Sequence, residues 1–248
     1  LKAKEPLRRI EDNSVLIYEE PEKGHDYIMT VDVSRGRGQD YSTFNVIDIS
    51  TRPFSQVAVY RNNIISPLLF PNIIYKYAKV YNEAYVVIES NDQGSVVTNG
   101  LYHELEYENM HVESAVKANA LGIEMTRKVK RLGCSAIKDI IENDKLKIVD
   151  ENTILEISTF VSRGQSYQAA EGNHDDLMMN LVLFGYFATS NYFGDMTNIN
   201  LKEMMFKQRI KEIEDDVLPF GFVDDGSEYI AQQDREEHPW AITYEEQW

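Results

Sequence analysis

A single cysteine, Cys134, stands in a chain of 248 residues, so no disulfide can close within it and no cysteine-based zinc cluster can form. That usage suits a reducing compartment. Long apolar runs are missing too. The longest candidate, residues 177–188, is interrupted by Asn180 and Gly185 and falls short of the roughly 18 apolar residues a membrane span needs. No basic-then-apolar stretch opens the sequence, so a secretory leader is not indicated. The phosphate-binding pattern G-x-x-x-x-G-K-[ST] does not occur, which argues against a P-loop nucleotide site.

Positive charge is in short supply. Against 41 Asp and Glu there are 25 Lys and Arg, a formal net charge of −16. Affinity for phosphate comes mainly from Lys and Arg, so on composition alone the chain should repel nucleic acid. The distribution changes that argument. Residues 201–248 hold 5 basic and 13 acidic side chains, which places −8 of the −16 in the last fifth. The stretch 117–147 is locally basic, with Lys117, Arg127, Lys128, Lys130, Arg131, Lys138, Lys145 and Lys147. Net charge is therefore not the charge that any one face presents.

What is present is an ordinary globular composition, 43% apolar and 27% charged, at a length that fits one large domain or two small ones. Residues 1–25 are polar, carry Pro6 and Pro21, and read as a linker with one short strand near 15–18. Segments 27–33, 43–49 and 56–60 are rich in β-formers with short connections, the pattern of an antiparallel meander. Pro67 suits the first turn of a helix running to Tyr81, and the apolar run 85–88 suits a central strand covered on both faces.

Asp92 reads as the cap of a helix through Glu106, and 110–115 as a further strand. Thr126 caps a basic helix over 127–142 with the apolar stripe Val129, Leu132, Ile137 and Ile140. A short strand follows at 146–149, then a helix or strand and a hairpin around Arg163-Gly164 within 152–171. Asn173 caps a strongly apolar helix beginning at Asp175. After Ser190 the pattern thins to a charged helix near 200–214 and an acidic tail. The expected fold class is α/β, a mixed sheet with helices on both faces, with a core over 26–198 and an acidic appendage over 199–248.

Two features could carry chemistry. Ser34-Arg35-Gly36-Arg37-Gly38-Gln39-Asp40 is a glycine-rich loop directly after a strand. A dinucleotide site would need a third glycine where Tyr41 stands and a helix where a strand follows, so a hairpin turn is the simpler account. The other feature is a set of acids. Asp32 lies inside a strand pattern, Glu89 immediately follows the 85–88 strand, and Asp175 and Asp176 occupy the first turn of the most apolar helix.

Acids at a helix start complement the helix dipole, and one at a strand end can be solvated. An acid within a strand is costly unless paired, and few cations are placed to pair with it locally. A divalent cation such as Mg²⁺ is the economical partner, since it is held by a few carboxylates plus water and substrate phosphate. Spacing alone leaves many metal-dependent phosphotransfer folds open.

The string from Tyr27 to Tyr41 resembles the first acidic motif of the C-terminal nuclease domain of the T4-like bacteriophage terminase large subunit. Val86-Val87-Ile88-Glu89-Ser90-Asn91, Gly133-Cys134-Ser135-Ala136-Ile137-Lys138-Asp139 and Glu171-Gly172-Asn173-His174-Asp175-Asp176-Leu177 resemble three further stretches of that family, in family order. The likeness covers most of residues 25–235.

The resemblance implies a ribonuclease-H-like (resolvase/integrase) fold and a metal-dependent endonuclease. Such an enzyme cuts concatemeric double-stranded DNA at the start and end of genome packaging by two-metal hydrolysis with Mg²⁺ or Mn²⁺. It implies Asp32, Glu89 and Asp176 as the metal-binding triad, with Asp175 and Asp40 auxiliary. The implied partners are DNA, an N-terminal packaging ATPase part, the portal and the small terminase subunit, with no membrane. The implied setting is the host cytoplasm, docked transiently on the procapsid. The absent P-loop and a start at Leu1 imply that this chain carries the nuclease part alone.

For DNA contact the candidates are Arg35 and Arg37 on the loop, Lys128, Lys130 and Arg131 on the basic helix, and Arg163 at the hairpin. His174 beside the acids could assist or be structural. Two other readings compete with the nuclease. One is a DNA- and portal-coupling module with negligible activity of its own, and the other is a cellular resolvase or ribonuclease of the same fold.

Overall fold

The computed structural model describes residues 1–113, 120–163 and 166–197. The hairpin tip at Gly164, the Arg163 side chain, the expected helix near 200–214 and the acidic tail lie outside the described residues. The elements run β1 (Arg8–Ile10), β2 (Val15–Ile17), β3 (Tyr27–Asp32), β4 (Ser42–Asp48), β5 (Phe54–Asn62), α1 (Phe70–Val80) and β6 (Tyr85–Ile88). They continue with α2 (Gly94–Asn99), extended by one wider turn over Gly100–Glu104, then β7 (Val112–Glu113), β8 (Ala120–Leu121) and α3 (Arg127–Glu142). Last come β9 (Leu146–Lys147), α4 (Glu151–Thr159), β10 (Phe160–Arg163), β11 (Ser166–Ala169) and α5 (Asp176–Ala188). Among the described residues no helix is long and apolar enough to cross a membrane.

Seven of the described strands form one mixed sheet in the order β1-β2-β5-β4-β3-β6, with β9 also alongside β5. The meander β3-β4-β5 is antiparallel as expected, and β6 joins β3 in parallel with Val31 opposite Ile88. Side chains alternate across a strand, and here both sets are covered. Tyr27, Met29 and Val31 pack with Phe70, Ile74 and Tyr77 of α1, whereas Ile28 packs with Leu181 and Phe184 of α5. Val86 and Ile88 of β6 face the α1 side, and Tyr85 and Val87 the α5 side. Helices therefore cover both faces, and the ribonuclease-H-like expectation of a two-sided mixed sheet holds.

Several local expectations change. Residues 8–17, read as linker with one short strand, contribute two strands, because β2 pairs with β5 and β1 completes a hairpin on it. Asp92 does not cap a helix: α2 starts later, behind Gln93, and the Asp92 carboxylate accepts from Arg35 instead. Asn173 does not cap α5; its Nδ2 turns back to the carbonyls of Ala170 and Glu171. Of the strand expected at 110–115, the described residues hold a bridge from Met110 to Val86 and the short β7, and residues 114 and 115 lie outside them. On α3, Thr126 Oγ1 accepts from Val129 N as expected, but Leu132 of the expected stripe is 43% exposed. Gly133 and Cys134 face the core in its place, where α3 crosses α5.

A buried polar chain runs behind this layer. Gln56 on β5 accepts the N–H groups of Val149 and Asp150 and donates to Asn45 on β4 and Thr153 on α4. Asn45 in turn donates to the Leu177 carbonyl, and Asn180 of α5 donates to Thr43 of β4 at 2.6 Å. Buried polar groups are costly unless bonded, so this chain fixes where α4 and α5 sit on the sheet.

Candidate metal centre

The acids converge at the carboxyl ends of β3 and β6, under the start of α5. Asp32 is the last residue of β3, and alternation puts it on the same face as Ile28, the face that α5 covers. Glu89 follows β6 by one residue, and its N–H donates to the Val31 carbonyl at 3.0 Å, which sets it beside Asp32. Asp176 opens α5, held over β4 by the Thr43 hydroxyl, which donates to the Asp176 carbonyl at 3.2 Å. Thr43 is itself the β4 partner of Asp32. Sheet register and one helix start thus bring together three acids spread over residues 32–176.

The electrostatics agree with that proximity. Burial, then Glu89 and then Asp176, hold the Asp32 carboxyl well above the usual carboxylate range. Burial also pushes Glu89 up, against the pull of the Lys130 ammonium. Asp176 is raised to about 6, chiefly by burial, with the Tyr41 backbone N–H opposing and Asp40 reinforcing. Asp176 is 9% exposed, and among the described residues its Oδ2 has no hydrogen-bond partner. Asp32, raised by two neighbouring acids as well as by burial, is the carboxyl a cation would relieve most.

Asp32, Asp40, Asp176, Arg35 and Arg37 line one cavity of about 260 Å³, together with Asp92. Glu89 is not among its lining residues and meets Asp32 from the neighbouring strand. Asp175 turns its Oδ2 to the Ala169 N–H at 3.2 Å. His174 stands with Nδ1 3.7 Å from Asp176 Oδ2 and edge-on to the Tyr41 ring. Lys130 lies near Glu89 and also 5.8 Å from the centre of the Phe160 ring, while Lys128 and Arg131 are exposed on α3. Arg163 is placed in β10 only by its backbone.

Sequence reasoning missed two participants. Asp92 lines the cavity mouth, where Arg35 Nε and Nη2 both reach its Oδ2 at 2.8 Å. Glu156 of α4 accepts the first amides of α5. Neither left a signal in the sequence, since each partner lies on a different element.

The donor set fits a hard divalent cation: carboxylate oxygens, one of them without a hydrogen-bond partner among the described residues. Among the described residues no three His, Cys, Asp or Glu side chains are already arranged to enclose an ion. Mg²⁺ does not require such a cage, because it keeps waters and takes substrate phosphate.

Residues 29–184 match the family model described as the terminase RNaseH-like domain. Among solved structures, the chain is similar to the large terminase nuclease of thermophilic phage G20c with bound magnesium, at 22% identity and a TM-score of 0.60 over 75% of this chain and 92% of that one. It is similar to the same nuclease with bound cobalt at 22% and 0.59, over 75% and 92%. It is also similar to the large terminase nuclease domain of Thermus phage P74-26, at 23% identity and 0.57, over 73% and 88%. At these identities the structures show the shared fold.

Proposed function

The chain belongs to the terminase RNaseH-like domain family, and from that membership we propose that it is a divalent-metal-dependent endonuclease acting on double-stranded DNA during viral genome packaging. One observation carries the reading: Asp32, Glu89 and Asp176 converge at a cavity that also holds Arg35 and Arg37, with the buried Asp32 carboxyl raised by both of the other acids. In this reading the three acids hold two divalent cations, Mg²⁺ or Mn²⁺, with Asp175 and Asp40 as auxiliary ligands. Such ions supply Lewis acidity, lowering the pKa of water and offsetting charge on a phosphodiester.

The chain's own residues do the rest. Asp32 and Glu89, on adjacent strands, define a rigid floor. Asp176 enters from the helix above. Arg35 and Arg37 face the same cavity and orient the phosphates that flank the cut, for which Arg35 must leave Asp92. Lys130, Lys128 and Arg131 extend the phosphate track along α3. His174, 3.7 Å from Asp176 Oδ2, steadies that carboxylate. The magnesium- and cobalt-bound terminase nucleases of similar fold support divalent cations here. In the packaging machine the domain would work with an ATPase part, the portal and the small terminase subunit.

Digestion of supercoiled plasmid with Mg²⁺ or Mn²⁺ tests the reading, alongside Asp32→Asn and Asp176→Asn. Cleavage should fall by about 100-fold or more in each variant and vanish in chelator. Full cutting by both variants would overturn the site. A coupling module with little activity in isolation is the second reading, favoured by the acidic balance of the chain, −16. It expects DNA retention without metal and no nicking by the wild type.

A further inference from the structure

The first-turn N–H groups of a helix have no acceptor within it. At α5 the residue in the cap position, Asp175, makes no side-chain cap bond, because its Oδ2 is engaged by Ala169 N. The acceptor comes from another helix. Glu156 of α4 is 4% exposed, and its Oε2 receives the N–H of Leu177 at 2.7 Å and of Met178 at 3.0 Å. Its Oε1 has no hydrogen-bond partner among the described residues and stands 3.8 Å from Arg61 Nη2. The Arg61 guanidinium in turn lies 3.5 Å from the centre of the Tyr41 ring, against which His174 stands edge-on. On the other side of the same turn, Thr43 holds the Asp176 carbonyl. The backbone is thus pinned on both sides of Asp176, while its carboxylate is left open.

We propose that Glu156 is a positioning residue for Asp176: by capping α5 from outside, it sets the place from which Asp176 enters the metal-holding cluster. A buried carboxylate is a costly cap when Ser, Thr, Asn or Asp in the cap position would serve. Supplying the cap from α4 does what a local cap cannot. It lets Asp175 Oδ2 hold the Ala169 N–H instead of the helix start, and it ties the helix start, through Arg61 and Tyr41, to the loop that carries Asp40. The assignment rests on the nuclease reading above.

The test compares the wild-type chain with Glu156→Gln and Glu156→Ala, with Asp176→Asn as a reference. Mn²⁺ affinity is measured by calorimetry, and plasmid cleavage is resolved into kcat and KM. Removing an outer-shell partner of a ligand characteristically costs about 10- to 100-fold in metal affinity or activity. Glu156→Ala should weaken Mn²⁺ binding and lower kcat by that order, with KM for DNA within about twofold of wild type. Glu156→Gln keeps a carbonyl oxygen for the two amides and should recover most of the loss.

Three results decide the matter. A folded Glu156→Ala with wild-type Mn²⁺ affinity and kcat overturns the positioning role. So does a folded Glu156→Gln as defective as the Ala variant, since the cap would then not be what matters. Wild-type protein that neither binds Mn²⁺ nor cuts DNA overturns the nuclease reading itself, and the assignment falls with it.

Discussion

At Asp32 the strand pattern and the chemistry conflict. A carboxylate at the end of a covered strand is held there beside two other acids, both of which raise it. Replacement by the neutral isostere Asn should therefore leave the metal-free protein as stable as wild type or more so, while cleavage is lost. Thermal melting in chelator checks the first half, and a wild-type melting point well above that of the variant would contradict it. Cys134 makes the opposite case of a chemically capable group held inert. It is 8% exposed, and burial pushes its thiol up to about 11. A thiol with a raised pKa holds less thiolate at any lower pH, so modification at pH 8 should run about 100-fold slower than for an ordinary exposed cysteine. The rate should climb as pH approaches 11, or at once on unfolding, as a thiol-reagent assay would read directly.

Among the elements, α3 and α5 meet at two glycines, Gly133 and Gly185. A Cβ on Gly133 would stand 2.3 Å from the Val182 carbonyl oxygen, and one on Gly185 2.7 Å from the Gly133 carbonyl oxygen. Both neighbours are backbone and cannot swing aside. Gly133→Ala should accordingly cost about 1–3 kcal/mol despite its better helix propensity, and a melting curve showing no loss would refute the close approach. Thr126→Ala, which removes the α3 cap bond, should cost about 1 kcal/mol.

This helix was legible because its cap and much of its buried stripe are local. Asp92 and Asn173 were misread for the converse reason. Both are cap-type residues just ahead of apolar runs, yet Arg35 draws the first away and the Ala170–Glu171 turn holds the second. The true cap of α5, Glu156, lies 21 residues upstream of Leu177, where no capping rule looks.

For the whole molecule, the net charge of −16 and the acid cluster predict two linked behaviours. Binding of a divalent cation to the folded state alone adds stability by mass action, about 2.7 kcal/mol at a concentration 100 times Kd. Mn²⁺ should raise the melting temperature of the wild type, and much less that of Asp32→Asn. DNA binding without metal should be weak and should strengthen when divalent ions are added, and a filter-binding titration that shows the reverse would sink the idea.

The sequence alone determined the meander, the central apolar strand, the basic helix and the apolar one, because backbone periods of two and 3.6 write themselves into neighbouring residues. It also marked Asp32 as out of place. Which acids meet is a different matter. That Glu89 lies beside Asp32 follows from the parallel pairing of β6 with β3, and that Asp176 sits over both follows from α5 packing on β3 and β4. Strand order, register and helix packing join residues more than a hundred positions apart, and no local period encodes them. Tertiary structure alone gave Asp92 to Arg35 and Glu156 to the start of α5, since a side chain bonds with whatever folding brings within about 3 Å of it.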